Sequence, residues 1–267
     1  MADCYFVRTF FLTLCIFLTI SCGGMLQSDG PGEVSSIGNI GDAEPRHLLR
    51  SRYGNPESYE VLGRRYYTLK TSQGFKERGI ASWYGKKFHG RKTSSGETYD
   101  MYQMTAAHKR LPLPTYVQVT NLENGSTAIL KVNDRGPFHE NRVIDLSYAA
   151  AFKLGIVRQG TAFVEITAIN EDPSVFEASV GSKLAEEIDL VDLYIQVGAF
   201  NDRINAQRMS QRVAQYVSTD VRIYESKKGN KAIHRVQIGP LASTEVADQL
   251  IDILFGLGID EHYFVVN

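Results

Sequence analysis

Two neighbouring stretches decide how the chain is read: Ser126–Phe138, STAILKVNDRGPF, and Arg142–Gly155, RVIDLSYAAAFKLG. The first is an apolar run closed by Asn133-Asp134-Arg135-Gly136-Pro137, a strand that ends in turn-forming residues. In the second, Leu146–Leu154 predicts a short helix stopped by Gly155. Working outward, GIASWYG (79–85), TYVQVTNL (115–122) and GTAFVEITAIN (160–170) also alternate or run apolar between Gly, Asn, Asp and Pro. Residues 79–170 therefore read as mostly β with one helix. Seven of the 14 tyrosines lie between Tyr53 and Tyr102, with the single Trp83. Folded matter is expected from Tyr53, as a strap leading into a core that starts at Gly79.

The last 77 residues, 191–267, contain a repeat. Ile195-Gln196-Val197-Gly198-Ala199-Phe200 returns as Val236-Gln237-Ile238-Gly239-Pro240-Leu241. A helical period follows each copy, then another strand, VRIYES or HYFVV. Two βαβ halves predict a βαββαβ unit, one sheet with both helices on one face. The open face would be either a binding platform or simply one side of a duplicated structural module. Residues 171–190 read as a polar, acidic linker.

The N-terminus carries an address. Thr9–Ile20, TFFLTLCIFLTI, is an apolar run too short for a bilayer span and is followed by small residues, the pattern of a secretory signal peptide over 1–21. Leu18-Thr19-Ile20-Ser21-Cys22 resembles a bacterial lipobox, with Thr19 where Leu is usual. That resemblance implies acylation of Cys22 and stable anchoring by several acyl chains. The alternative is a plain signal peptide with an incidental cysteine. Residues 22–52 are expected to form the lipidated cysteine and a flexible tether. Gly23 is not the aspartate that marks inner-membrane retention in enteric bacteria, which favours the outer membrane.

Composition sets the outer bounds. Apolar residues at 43% and charged residues at 22% suit a folded chain and exclude wholesale disorder. A net charge of −1 provides no global field for nucleic acid, and no such partner is expected. Cys4, Cys15 and Cys22 are the only cysteines, all N-terminal, which excludes a disulfide scaffold and a cysteine-ligated zinc site. No metal or cofactor motif is present.

Polar residues gather in a few loops of the middle segment: Ser82-Trp83-Tyr84, Thr93–Glu97, His108, Asn133–Pro137 and Asp145. Singly, each has a structural explanation. Ser-Gly-Glu and Asn-Asp-Arg-Gly-Pro make good turns, Asp145 is placed to cap the helix after it, and His108 suits a packed, hydrogen-bonded histidine. Together, carboxylates beside aromatic residues suit sugar chemistry, in which rings stack on pyranoses and a carboxylic acid protonates a glycosidic oxygen. A serine hydrolase is disfavoured because no G-x-S-x-G elbow exists.

GIASWYGKKFHGRKTSSGETYD, MTAAHKRLPLPTYVQVTNLENG, VNDRGPF and RVIDLSYAAAFKLG resemble the rare lipoprotein A family from Gly79 to about Gly155. YIQVGAF and HRVQIGP resemble the sporulation-related (SPOR) domain that many members carry. The resemblance implies a six-stranded double-psi β-barrel over 53–170, followed by a small βαββαβ SPOR domain over 191–267. It implies a lytic transglycosylase that cuts the MurNAc–GlcNAc bond of peptidoglycan, prefers strands stripped of stem peptides, and leaves 1,6-anhydro-MurNAc ends. Asp145 matches the key aspartate of double-psi relatives and Asp134 a second acidic position found in expansins. Glu97 and His108 belong to the family pattern. We expect Asp145 as general acid, Asp134 as its partner, Glu97 and His108 shaping the same cleft, and Ser82, Trp83 and Tyr84 as a sugar-contacting wall. For the SPOR domain, Gln196, Gly198, Phe200, Arg235 and Gln237 match glycan-contacting positions. The implied location is the periplasmic side of the envelope, enriched at the septum, with division-site proteins as further partners. Two other readings share the fold: a non-catalytic glycan-binding septal lipoprotein, and a structural envelope protein whose tail recruits division proteins.

Overall fold

The computed structural model describes residue 30 and residues 41–139, 141–169, 192–228 and 231–266. The signal peptide, Cys22 and the linker at 171–190 lie outside the described residues. An antiparallel hairpin comes first, β1 (Ser58–Val61) and β2 (Arg64–Tyr67). Six strands follow: β3 (Lys76–Tyr84), β4 (Thr105–His108), β5 (Thr115–Asn121), β6 (Thr127–Asp134), β7 (Arg142–Ser147) and β8 (Ala162–Ala168). They close in the order β3-β7-β4-β6-β5-β8, the double-psi barrel that the resemblance implied. Ala106, Val117, Val119, Leu130, Val132, Ile144, Leu146, Val164 and Ile166 fill its core.

Two strands, β4 and β7, are missing from the apolar pattern. TAAH is too short and too small to register as a strand, yet all four of its residues are buried. RVIDLS carries Asp145 in mid-strand, and the helix starts later than predicted, as α1 (Tyr148–Lys153). Its N-cap is Ser147, whose hydroxyl accepts from the Ala150 amide, so Asp145 is released from the capping role.

Residues 41–52, expected as part of a free tether, lie on the barrel. β4 begins only opposite Lys131, leaving the Ile129 backbone without a strand on that side. Ala43 N–H donates to the Ile129 carbonyl at 3.0 Å, and Asp42 accepts from the Ile129 amide at 2.8 Å. Unpaired strand groups are costly to bury, and this segment covers them.

The tail forms the expected βαββαβ unit: β9 (Leu193–Phe200), α2 (Arg203–Ala214), β10 (Val221–Lys228), β11 (Lys231–Ile238), α3 (Thr244–Gly256) and β12 (Tyr263–Val266). Its sheet runs β10-β11-β9-β12. Leu193, Ile195, Val197, Val236 and Ile238 pack against Val213, Ala247, Leu250, Ile251 and Leu254. The tail also docks on the barrel. Arg142, at the start of β7, forms a bidentate pair with Asp248 of α3, both bonds 2.9 Å. Phe163 tilts onto Phe264 with ring centroids 5.5 Å apart.

Candidate active site

Register across three adjacent strands builds the site. Ala107 of β4 lies opposite Asp145 of the antiparallel β7 and opposite Asp134 of the parallel β6. The two aspartates therefore occupy one row with an alanine between them. Two strand spacings put their Cα atoms about 10 Å apart. A bulge helps: β4 pairs Ala106 with Val132 and Ala107 with Asp134, skipping Asn133. Such an extra residue re-aims the side chains beyond it. Here Asp134 lines the cleft, while Asn133 donates to Glu97 at 2.8 Å.

Asp145 and Asp134 line a cleft of about 320 Å³ with Tyr84, Phe88, Tyr99, Arg91, Lys92, Arg135, Gly136, Pro137 and Phe138. On the parallel β3–β7 pair Ser82 stands opposite Asp145, and its hydroxyl donates to Asp145 Oδ1 at 2.5 Å. Burial pushes the Asp145 carboxyl above the ordinary aspartate range, and the Ser82 hydrogen bond only partly opposes this. Asp134 is an acceptor. Its Oδ1 takes the Ser94 amide at 2.8 Å, the Ser94 hydroxyl at 2.6 Å and the Arg135 amide at 2.7 Å. Tyr84 stacks on Tyr99 at 4.2 Å. Burial, then the neighbouring Tyr99, Asp134 and Asp145, hold the Tyr84 phenol well above its ordinary pKa.

The other predicted residues are placed differently. His108 follows Ala107 and points away from the cleft. Its Nδ1 accepts the Arg110 and Leu111 amides at 3.1 and 3.0 Å, so Nε2 carries the proton that meets Glu77 Oε2 at 3.1 Å. Its ring also meets Phe75 edge-on at 5.2 Å. Burial lowers the His108 pKa, opposed by Glu77. His108 thus shapes a turn instead of the cleft. The His108 and Leu111 carbonyls of that turn accept from Arg135 Nη1 at 3.1 and 2.6 Å. Arg135 also bonds the Gly54 carbonyl at 2.9 Å and Asn55 Oδ1 at 3.3 Å, and its amide holds Asp134. A chain of contacts runs Glu77–His108–turn–Arg135–Asp134.

Glu97 lies in a neighbouring polar cavity of about 570 Å³ with Lys131, Asn133, Asp100, Tyr102 and Asp42. Burial would raise its pKa, but hydrogen bonds from Lys131 and Asn133 outweigh that and hold it below the ordinary glutamate range. It therefore does not share the cleft of the two aspartates. Trp83 points to the opposite side of β3 from Ser82 and Tyr84, as strand alternation requires, and packs on Tyr148 at 5.6 Å. The aromatic wall of the cleft consists of Tyr84, Tyr99, Phe88 and Phe138. Phe88 and Phe138 escaped the sequence reading because each is a lone aromatic in a loop. Phe138 is aimed by the Asn133–Pro137 turn, with Gly136 at φ +140°.

On the SPOR sheet, Gln196, Gln237 and Arg235 share the face away from the helices, with Arg235 half-buried and the two glutamines buried. Arg235 bonds Gln196 Oε1 at 3.1 Å and Ser226 at 3.1 Å, while Arg222 bonds Gln237 Oε1 at 3.1 Å and lies 3.5 Å over the Tyr194 ring. Gly198 and Phe200 are not on that face. A bulge at Val236/Gln237 shifts the register so that Gly198 pairs with the core residue Val236. Phe200 packs over it on the helix side, where a Cβ on Gly198 would come within 2.6 Å of the ring.

Residues 76–166 match the lytic transglycolase family, and residues 191–261 match the SPOR domain. The endolytic peptidoglycan transglycosylase RlpA of Vibrio cholerae is 37% identical over 262 residues, 96% of each chain. The chain belongs to the RlpA family. The RlpA of Neisseria meningitidis serogroup A is 42% identical over 216 residues, 80% of this chain and 84% of its own. The crystal structure of the RlpA SPOR domain from Pseudomonas aeruginosa matches 27% of this chain and 96% of its own, at 25% identity and a TM-score of 0.27. The barrel and the SPOR unit described above hold the residues that the two family matches cover.

Proposed function

We propose that this RlpA-family chain is an endolytic transglycosylase that cuts the MurNAc–GlcNAc bond of peptidoglycan with Asp145 as the general acid. The Asp134–Ala107–Asp145 row carries the reading. It gives a cleft with one carboxyl that burial pushes above the ordinary aspartate range and a second, some 10 Å away by strand spacing, committed to accepting. Asp145 gives its proton to the leaving glycosidic oxygen as the C1–O bond breaks. The muramic acid C6 hydroxyl oxygen bonds to C1 and closes a 1,6-anhydro ring. Its proton returns to Asp145, so the acid is regenerated. No water is consumed, which is why one acid–base group suffices where ordinary glycosidases use two.

Asp134 holds the 93–95 turn and the rim of the cleft around the substrate. Tyr84, Phe88 and Phe138 offer faces for pyranose rings. Gln196, Arg235 and Gln237 on the SPOR sheet bind stem-less glycan and bring the barrel to the septum, where division-site proteins are further partners. Lipidation at Cys22 anchors the chain in the outer membrane, facing the periplasm. The test is mass spectrometry of sacculi digested by the full chain in detergent, with and without amidase pretreatment. New 1,6-anhydro ends, more abundant after amidase, are expected. Co-sedimentation with sacculi and no such ends would leave the non-catalytic binding reading in its place.

A further inference from the structure

The loop Lys86–Lys92, KKFHGRK, concentrates four cations in seven residues of a chain whose net charge is −1. It forms one rim of the aspartate cleft, to which Phe88, Arg91 and Lys92 contribute. Three cations line that cleft, and Arg135 is already committed. Its guanidinium is held by three backbone carbonyls and Asn55. The other two differ. Arg91 lies 5.7 Å over the Phe88 ring, and Lys92 donates to the Thr98 hydroxyl at 3.0 Å. Among the described residues, neither has an ion pair with a carboxylate.

A pyranose stacked on Phe88 would place its substituents against this pair. Both residues are exposed. Two uncompensated cations at the mouth of a cleft whose floor is acidic fit an anion carried on the substrate itself. A glycan strand stripped of its stem peptides offers one on every muramic acid, the lactyl carboxylate freed when the peptide is removed. With the stem attached, the same atom is a neutral amide. We propose that Arg91 and Lys92 form a carboxylate-reading subsite, and that recognition of the free lactyl group at this rim gives the enzyme its preference for stem-less strands. The proposal rests on the transglycosylase reading above and supplies a physical origin for its substrate choice.

The test separates the two. Amidase-treated glycan strands are divided, and in one half the lactyl carboxyls are converted to methylamides. kcat/KM for formation of 1,6-anhydro ends is measured on both halves at low and high salt. The wild-type chain should favour the free acid by roughly ten-fold at low salt, the scale of two exposed ion pairs, and by less at high salt. In R91Q/K92Q that ratio should fall towards one. Equal rates of the wild type on both glycans would overturn the subsite. So would a ratio that survives in the double variant with its melting curve intact. If the wild type produces no anhydro ends, the transglycosylase reading fails by itself. Binding of the two glycans to wild type and R91Q/K92Q then still reads the subsite, because the SPOR contribution is common to both chains.

Discussion

Replacing Asp145 with Asn removes one proton and little else. The Asn side chain is isosteric, its Oδ1 can still accept from Ser82, and the neighbouring Gly136 leaves room, since even an added Cβ there would be 3.7 Å from Asp145 Oδ2. General acids contribute about 10²- to 10⁴-fold, or roughly 3–5 kcal/mol at 1.36 kcal/mol per decade. The structure argues for the upper half of that range, because the other candidate acids of the sequence are engaged or lie elsewhere. Asp134 Oδ1 already accepts three hydrogen bonds, Glu97 lies in another cavity, and His108 points behind the sheet. A loss of at least about 10³-fold in the rate of anhydro-end formation is expected, measured by mass spectrometry on amidase-treated glycan. Stability should move the other way. Burial raises the folded-state pKa of Asp145, so the folded chain binds its proton more tightly than the unfolded chain. The stabilising contribution of this group is full below the unfolded pKa and is lost as pH rises through the folded value. Asn carries no such penalty, so Asp145→Asn should melt higher than wild type at neutral pH, with the gap closing on acidification. A variant that retains activity within a few-fold of wild type would refute Asp145 as the acid. One that loses activity and melts lower at every pH would assign it a structural role.

Ser82→Ala removes the hydrogen bond that favours the ionised Asp145. The alkaline limb of kcat/KM should move to higher pH, and a limb that stays or moves down would separate it from Asp145. Arg135→Lys replaces a fork that bonds three carbonyls and Asn55 with a single ammonium. A cost of about 2–3 kcal/mol, or some 4–12 °C in Tm, is expected in thermal denaturation, and a shift under 1 °C would contradict the staple. Asp248→Ala breaks the bidentate pair with Arg142 that joins the two folded units. Small-angle scattering should then show a broader distribution of distances between the units, and an unchanged profile would show that the apolar contact around Phe163 and Phe264 suffices.

Much of the fold was legible because it is written in local periods. Alternation in STAILKVND and AFVEITA, the turn chemistry of Asn133–Pro137 and the two copies of the β-Gln-β-Gly pattern each follow from residues within one window. Strands β4 and β7 were not legible in that way. Thr105–His108 is buried because of the strands on either side of it, and Asp145 interrupts the apolar run of β7 at the position where the cleft needs a carboxyl. The docking of residues 42–43 on Ile129 was equally hidden, since it answers a gap in a distant strand ladder.

By itself the sequence determined the β-rich centre, the duplicated tail and the polar residues from which a site is drawn. Each of these is a property of short segments and their composition. Tertiary structure alone decided which of those residues meet. Asp134 and Asp145 share a cleft because Ala107 pairs with both, and a skipped Asn133 sets that register. Glu97, His108 and Trp83 are only a strand face or a bulge away, yet point elsewhere. Gly198 and Phe200 lie off the face that carries Gln196 and Gln237 for the same reason. A side chain in a sheet changes face with every residue, so one residue left unpaired against the neighbouring strand reverses the address of those beyond it, and only the pairing of strands distant in sequence decides which residue that is.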